Sequence, residues 1–215
     1  NFQDHLLCPV IFSSPKPVPA TLAGLQQMTS QLFMKTDEAC IVPNSQPLMF
    51  HIPNYRPGMS GPEHGFTLMA SAVRAHSIGQ ISLRSADPMQ RPVLDPNYLS
   101  AEVDVHTLVR SIKMCRDIAH QSALDEWRDI EVYPGEQELE TYVRRHTVTN
   151  HHQSCTCKMG VDEMAVVDPQ LRAYGIDGLR VADASIFPTV PTGNTNAPTI
   201  MVAEKAADLI IKSNS

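Results

Sequence analysis

One stretch of the chain has a strong helical repeat of apolar side chains. Val105, Leu108 and Ile112 recur at intervals of three and four residues, as they do along the buried face of an amphipathic helix. Glu102 stands in the first turn, where the positive end of the helix dipole favours an acidic side chain. The pattern predicts a helix over residues 102–119.

Two shorter repeats predict two more helices. In residues 136–146 the pattern places Tyr142 and Val143 inward. In residues 197–212 four apolar side chains share one face: Ile200, Ala203, Ala207 and Ile210. All three predicted helices therefore lie after residue 100.

Short apolar runs bounded by glycine, proline and polar residues predict the strands. Residues 65–74 form the longest run, and residues 47–52 form a shorter one. Residues 79–84 alternate between polar and apolar, which is typical of a half-buried antiparallel strand. Residues 179–182 read as a short buried strand. Four prolines between positions 9 and 19 predict a loop over residues 10–20.

Composition and charge narrow the class of protein. Of the 215 residues, 42% are hydrophobic and 19% are charged, which suits a globular chain of one or two domains. The net charge is −6 and the longest basic run is Arg144-Arg145, which disfavours nucleic acid as a partner. Glu204, Lys205 and Asp208 interrupt the apolar C-terminal stretch, so we expect no transmembrane segment.

The five cysteines are odd in number, so they cannot all pair with one another within the chain. Only Cys155 and Cys157 are close in sequence, and the neighbouring His151 and His152 complete no known zinc spacing with them. We therefore expect reduced cysteines and no metal. The first residues, from Asn1 on, lack the features of a signal peptide and read like the interior of a longer protein, so no cellular location is predicted.

Two histidines and an acidic residue are the first candidates for chemistry. His151 and His152 lie in a predicted loop, where reactive groups are often placed, and an imidazole serves as an acid or base near neutral pH. A lone histidine is nevertheless more often structural. Asp183 follows the predicted strand 179–182 and precedes the small residue Ala184. That position suits a polar ligand at the end of a strand, and equally an aspartate that caps the next turn.

The start of the last predicted helix is the third candidate. Asn194, Thr195 and Asn196 are residue types that cap helices, and Pro198 suits a first helical turn. Unpaired N–H groups and the helix dipole favour an anion or a developing negative charge at such a site. Ordinary capping explains the same residues.

In their order and spacing, these segments resemble the signature of the glucose–methanol–choline (GMC) family of flavin oxidoreductases. The resemblance is carried by His152-x-x-x-Thr156-Cys157-Lys158-Met159-Gly160, Val167-Asp168-Pro169, Leu179-Arg180-Val181-Ala182-Asp183-Ala184-Ser185 and Asn194-x-Asn196-Ala197-Pro198-Thr199. Further upstream it is carried by Ile81-Ser82-Leu83-Arg84, Pro92-Val93-Leu94-Asp95-Pro96 and Asn1-Phe2-Gln3-Asp4-His5. It is strongest over residues 79–210 and matches the C-terminal portion of the family.

The resemblance implies a mixed α+β and α/β fold. It would contain an antiparallel-sheet substrate domain with helices and the C-terminal return segment of a Rossmann-like FAD domain, which is incomplete in this chain. Residues 1–6 would lie at the edge of the FAD domain, 7–149 in the substrate-binding domain and 150–215 in the C-terminal part of the FAD-binding domain. No Gly-x-Gly-x-x-Gly turn occurs. The expected partner is therefore the N-terminal FAD-binding portion of the same protein, or a separate chain.

The resemblance also implies an activity and site residues. The activity is FAD-dependent oxidation of an alcohol to an aldehyde or ketone by hydride transfer to flavin N5. His152 matches the family's active-site histidine, which assists removal of the hydroxyl proton, and Asn194 matches the second active-site position. Six residues match positions that contact FAD: His151, Asp183, Ala184, Asn194, Thr195 and Asn196. There the helix start would stabilise the negative charge that develops on the flavin.

The resemblance bears on the substrate as well. The choline-oxidising branch has an acidic residue that faces its cationic substrate, and that position is Leu7 here, so we expect a small neutral alcohol. His51, on the predicted strand 47–52, is a second candidate for the substrate pocket, with an ordinary strand histidine as the alternative. Cyanohydrin (hydroxynitrile) lyases use the same fold and histidine without net redox, which is the alternative activity. The position before Thr156, often glycine in the family, is Cys155.

Overall fold

The computed structural model describes residues 1–25 and 28–213, and the chain divides into two compact units. We call them the sheet unit and the signature unit, after the antiparallel sheet and the sequence signature that they contain. The sheet unit comprises Leu6–Val73 and Ala101–Val148. The signature unit comprises Asn1–His5, Arg74–Ser100 and the described chain from Thr149 on.

Within the described residues the chain forms eight strands and three α-helices. The strands are β1 (Leu6–Ser13), β2 (Met28–Gln31), β3 (Leu48–Phe50), β4 (Gly65–Ala72), β5 (Gln80–Ser82), β6 (Val93–Asp95), β7 (Glu131–Tyr133) and β8 (Val148–Thr149). The helices are α1 (Glu102–Ala119), α2 (Leu139–His146) and α3 (Asn196–Ser213). Six of the strands form one sheet: β2-β3-β4-β1-β7 are antiparallel neighbours in that order, and β8 also pairs with β1.

Strand β1 is the centre of the sheet unit, and it corrects the loop predicted over residues 10–20. All eight of its residues are buried, and it pairs with β4 on one side and β7 on the other. Phe12 stacks on Phe66 with 5.3 Å between ring centroids. The run is apolar on both faces, so burial outweighs the missing N–H of Pro9. The prolines therefore marked a loop only beyond Ser13.

The strands predicted over residues 47–52, 65–74 and 79–84 are confirmed in position and differ in detail. Strand β4 covers most of the predicted residues 65–74, whereas β3 is shorter than predicted, so His51 lies in the bend that follows it. Strand β5 is wholly exposed and pairs only with β6, within the described residues. The prediction that it is half-buried is therefore wrong, because all three of its residues are exposed within the described part of the chain.

Helices α1 and α2 confirm their predictions. Helix α1 begins and ends where predicted, with Val105, Leu108 and Ile112 fully buried. Helix α2 begins three residues later than predicted because Glu138 caps it: the Glu138 carboxylate accepts hydrogen bonds from two backbone N–H groups of the first turn. Tyr142 is buried in α2, and its hydroxyl donates a hydrogen bond to a β1 carbonyl.

Helix α3 has nearly the predicted bounds but buries a different face. Its buried residues are Val202 and Ala206, whereas Ile200 is 55% exposed and Ile210 is 42% exposed. The helix carries apolar side chains almost all the way round, so its periodicity does not select one face. The apolar face that the predicted pattern singles out is therefore not the face that the helix buries.

The remainder of the signature unit is mostly irregular backbone around a compact apolar cluster. The cluster consists of Cys155, Val167, Leu171, Ile186, Phe187, Val190, Val202 and Ala206. The strand predicted over residues 179–182 is reduced to one antiparallel bridge between Arg172 and Arg180, and Leu179 is 46% exposed. That prediction is wrong, because a strand needs a continuous neighbour and this segment pairs at a single residue.

The two units and the predicted domains assign residues 74–100 differently. The prediction placed them inside a domain of residues 7–149, whereas they pack in the signature unit. Phe2 and Gly79 exchange two backbone hydrogen bonds, each 2.9 Å long, which fix this excursion beside the N-terminal segment. The FAD-binding and substrate-binding roles of the domains stay a prediction.

Candidate active site around His152

The backbone at His152 is held by the first residues of the chain. The Asn150 N–H donates to the carbonyl of His5 over 2.9 Å. One carboxylate oxygen of Asp4, Oδ1, accepts from the backbone N–H of both His5, at 2.8 Å, and His152, at 3.0 Å. Gln3 and Ser154 exchange two further backbone hydrogen bonds. The segment that carries the predicted catalytic histidine is therefore fixed at several consecutive points.

The imidazole of His152 contacts a second histidine. Nδ1 of His152 lies 2.9 Å from Nδ1 of His5, and the two rings are nearly perpendicular, at 89°. The side-chain amide nitrogen of Asn150 lies 3.3 Å from the same Nδ1 of His152. Two ring nitrogens at this distance share one proton, so Nδ1 of His152 is engaged in either tautomer. These contacts therefore occupy Nδ1 rather than Nε2.

The protonation of His152 follows from its surroundings. The ring is half-buried, and this burial lowers its pKa below the usual value of about 6.5. The charge of Asp4 raises the pKa again, and the charge of His151 lowers it. Because burial is the largest of these effects, the imidazole is neutral near pH 7, as a general base must be.

Asp4 is the centre of the polar cluster beneath the histidine. It is 2% exposed, and its second oxygen, Oδ2, accepts from the hydroxyls of Tyr98 and Thr149, each at 2.5 Å. Burial and the neighbouring Asp4 carboxylate raise the pKa of Tyr98, which keeps its hydroxyl protonated as a donor. Sequence reasoning assigned no role to Asp4, His5 or Tyr98. The only signal was the Asp4-His5 pair in the N-terminal motif.

The signature segments are joined by a short ladder of backbone hydrogen bonds. The N–H groups of Cys155, Cys157 and Met159 donate to the carbonyls of three successive residues, 184–186. This ladder brings the loop after His152 against the 3₁₀ turn Ala184–Ile186. Predicted residues from two separate segments therefore lie side by side.

Two backbone details of these segments explain local residue choices. Cys155 has a φ of +71°, a left-handed conformation that favours glycine, which accounts for the glycine usual at this position in the resembling family. The Asp183 carboxylate accepts from the Ser185 N–H at 2.8 Å and so caps the 3₁₀ turn. The capping alternative for Asp183 is thus realised, and its contact with a cofactor stays a prediction.

The first N–H groups of α3 lie before the hydrogen-bond ladder of the helix. The carbonyl of Thr195 accepts the first intrahelical bond, from the Thr199 N–H at 3.0 Å. Asn196 and Ala197 precede that bond, so their N–H groups have no acceptor inside the helix, and Pro198 has no N–H. The helix is 18 residues long, so its dipole adds to the positive potential at this end. The arrangement suits a negatively charged or electron-rich group.

The predicted site residues divide between the two units. His151, His152, Asp183, Ala184, Asn194, Thr195 and Asn196 all lie in the signature unit. Within it, the side chains of His151, Asp183, Asn194 and Asn196 are exposed, and those of Ala184 and Thr195 are partly buried.

Leu7 and His51 lie in the sheet unit. Leu7 is buried against Leu48 and Met69, with Met28, Phe50 and Val148 packed around them. Nδ1 of His51 lies 3.1 Å from the carbonyl oxygen of Pro19, and since a carbonyl only accepts, Nδ1 carries the proton. A role for either residue in a substrate pocket stays a prediction.

The cysteines and acidic residues supply no evident metal site. The five cysteines are free thiols, and burial raises the pKa of Cys8 and of Cys115 to about 12, so both stay protonated. Over residues 1–25 and 28–213, no three histidine, cysteine, aspartate or glutamate side chains cluster as metal ligands would. In the same part of the chain, no helix has the length and apolar character needed to span a bilayer.

Comparison with known proteins places this geometry in a family. Residues 75–203 match the family described as GMC oxidoreductase. The chain belongs to the GMC oxidoreductase family. It is 40% identical over 237 aligned positions to the oxygen-dependent choline dehydrogenase of Yersinia pseudotuberculosis, and 41% identical over 240 to that of Pseudomonas aeruginosa. Both alignments cover 98% of this chain and 42% of the relative, so this GMC chain spans less than half the length of those relatives.

A solved structure confirms the predicted GMC fold. Pyridoxine 4-oxidase from Mesorbium loti superposes with a TM-score of 0.89 at 30% identity, over 97% of this chain and 42% of the other. The antiparallel sheet with helices is therefore the GMC arrangement that the sequence predicted.

Proposed function

We propose that this chain supplies one wall of the active site of an FAD-dependent enzyme that oxidises an alcohol to an aldehyde or ketone. The observation that carries the proposal is the environment of His152. Its Nδ1 is held 2.9 Å from His5, its backbone is held by Asp4, and burial lowers its pKa. A neutral imidazole with a fixed Nε2 is the group that alcohol oxidation requires as an acid–base.

His152 acts on the hydroxyl proton in this proposal. In the tautomer whose Nδ1–H donates to Nδ1 of His5, Nε2 is unprotonated. It would then accept the proton of the substrate hydroxyl while the carbinol carbon gives up its hydride to the bound flavin. Asn194, at the second active-site position of the family, donates a hydrogen bond from its side-chain amide to the substrate oxygen. Both groups serve the same atom, because the charge that develops during oxidation lies on that oxygen.

The residues at the start of α3 suit the negative charge that a flavin ring gains when it is reduced. Bound FAD would supply the hydride acceptor at N5. The N–H groups of Asn196 and Ala197 and the dipole of α3 favour the negative charge that this chemistry puts on the ring. The exposed side chains of His151, Asn194 and Asn196 are available to the same ligand, and Asp183, Ala184 and Thr195 complete the proposed contact set.

The proposal includes a partner, the N-terminal FAD-binding portion of the same protein or a separate chain. The relatives are more than twice as long as this chain, which covers 42% of their length. The signature unit also leaves apolar side chains exposed on the segments of the FAD signature, among them Leu179, Ile200 and Met201, at 46%, 55% and 64%. Apolar surface of this kind is typical of an interface between parts of one protein.

The proposed substrate is a small neutral alcohol. Leu7 has no charge with which to hold a cation, and it packs with Leu48 and Met69. Choline is the competing substrate, since relatives at 40% and 41% identity are choline dehydrogenases by name. The two differ in formal charge, so a comparison of choline with its neutral isostere 3,3-dimethylbutan-1-ol separates them.

Anaerobic mixing of the complete FAD-loaded protein with each alcohol tests the proposal. We expect the visible absorbance of the flavin to bleach, and to bleach faster with the neutral alcohol than with choline. Faster bleaching with choline would overturn the substrate assignment and leave the reaction intact. A flavin that stays oxidised while a cyanohydrin is cleaved to an aldehyde would identify a lyase and overturn the oxidation itself.

A further inference from the structure

Asp4 connects every part of the polar cluster beneath His152. Its Oδ1 accepts two backbone N–H groups, those of His5 and His152, and its Oδ2 accepts two hydroxyls, those of Tyr98 and Thr149. The carboxylate is 2% exposed, so these four donors replace its hydration shell. A buried carboxylate with four donors is held rigidly in one position, and its charge raises the pKa of His152.

Asp4 binds the backbones of His5 and His152, which carry the two imidazoles. The His5 and His152 N–H groups meet on one oxygen atom, which fixes the separation of the two backbones. The 2.9 Å contact between the two Nδ1 atoms depends on that separation. Asp4 touches neither imidazole in these bonds and so acts on the ring of His152 through its backbone and through its charge.

We infer that Asp4 is a positioning residue for the acid–base step: it holds His152 in place and its negative charge stabilises the protonated imidazole. The inference rests on the proposed function and adds a residue to it. It assigns to the carboxylate two separable effects, one geometric and one electrostatic.

The charged and titratable groups around His152 are few within the signature unit. Asp4 lies beneath its backbone, His5 faces its Nδ1, and His151 is its neighbour in sequence. Tyr98 faces Asp4, and its hydroxyl stays protonated. Asp4 is therefore the negative charge in this group, and it opposes the lowering of the His152 pKa by burial and by His151.

The substitution Asp4→Asn separates the charge from the geometry. The amide oxygen of asparagine accepts both backbone N–H groups as Oδ1 does. Its NH₂ group donates to Tyr98, whose hydroxyl rotates to accept. The Thr149 hydroxyl already accepts from the His151 N–H and the Gln153 side-chain amide, so its bond to residue 4 is lost. The two backbone contacts that position His5 and His152 are thus retained while the charge is lost. Asp4→Glu is the complementary variant, because it keeps the charge and displaces the carboxylate by one methylene.

The test is the pH dependence of flavin reduction in the complete FAD-loaded protein, with Asp87→Asn as control. Asp87 is an exposed aspartate of the same unit that accepts one backbone N–H, from Met89. Flavin reduction falls at low pH as His152 becomes protonated. We expect Asp4→Asn to move this acid limb to lower pH by about one unit, because the imidazolium loses its neighbouring charge. Asp4→Glu should keep the limb and lower the limiting rate, and Asp87→Asn should change neither.

A second readout does not depend on turnover. The pKa of the His152 ring is measured by NMR with ¹³C-labelled histidine, its resonance being identified by its loss in His152→Ala. We expect the same downward shift in Asp4→Asn. An acid limb and a ring pKa that both stay within about 0.2 units of the parent would overturn the inference, whatever the rate. If Asp4→Asn does not fold, a shifted limb in Asp4→Glu overturns it. Failure of the parent to reduce flavin refutes the proposed function alone, and the NMR shift still decides the role of Asp4.

Discussion

At the scale of single residues, one buried hydroxyl ties helix α2 to the central strand of the sheet unit. Tyr142 is 1% exposed, and its hydroxyl donates to the carbonyl of Pro9 over 2.9 Å. Burial raises the pKa of Tyr142, so the hydroxyl remains a donor at any physiological pH. A buried acceptor that loses its donor costs free energy that an exposed one recovers from water.

The chain contains a matched pair of tyrosines for this effect. Tyr55 belongs to the same unit and also donates to a proline carbonyl, that of Pro62, at 2.9 Å, but in an exposed bond. We expect Tyr142→Phe to lower the free energy of unfolding by about 1–2 kcal/mol, and Tyr55→Phe by less than about 0.5 kcal/mol. Urea denaturation of both variants measures the difference. Equal losses would show that burial of the Tyr142 bond contributes nothing.

Some residues of the candidate active site could be predicted from the sequence, and others could not. His152, Asn194 and Asp183 belong to contiguous motifs, so the sequence pointed to each of them. Two of the partners of His152 are Asp4 and His5, which lie 148 and 147 positions away. No local pattern reveals such contacts, because the fold alone creates them.

At the scale of elements, α3 shows the limit of periodicity. Ile200, Val202, Leu209 and Ile210 lie in directions that together surround much of the helix, so several faces are apolar enough to be buried. The structure selects Val202 and Ala206 because these pack in the apolar cluster of the signature unit. The choice of face is thus a property of the surrounding fold.

Two adjacent alanines test this choice. Ala206 is 3% exposed, whereas Ala207 is exposed. In this chain we expect Ala206→Asp to destabilise the signature unit by about 3 kcal/mol or more, because a carboxylate would be buried without a partner. Ala207→Asp should cost less than about 1 kcal/mol, mainly through helix propensity. Thermal or urea unfolding followed by circular dichroism compares them, and the reverse order would mean that the helix packs on the face that carries Ala207.

Strand β1 shows that burial can override the local signal of a proline. Its prolines signalled a loop, yet Leu6–Ser13 is the most deeply buried strand of the sheet unit together with β4. Proline removes one hydrogen-bond donor, which costs little beside the burial of eight residues in a core. A continuous apolar run outweighed the local signal of proline in this case.

At the scale of the whole molecule, the signature unit is assembled from three separate parts of the chain. Asn1–His5 and Arg74–Ser100 join the C-terminal residues, although the sheet unit intervenes twice along the sequence. Because sequence reasoning divides a chain at linkers, it does not find a unit whose parts are far apart. The resemblance to a family suggested the proposed function. The structure revealed the contacts among Asp4, His5 and His152.

The central claim is that His152 is the acid–base of alcohol oxidation. Stopped-flow measurement of flavin reduction under anaerobic conditions tests it most directly, in the complete FAD-loaded protein with saturating alcohol. His106 provides the control, since it is an exposed histidine of α1 with a side chain 56% accessible. We predict that His152→Ala slows reduction by about 100-fold or more with FAD still bound, and that His106→Ala leaves the rate unchanged. A His152→Ala rate within about twofold of the parent would contradict the claim.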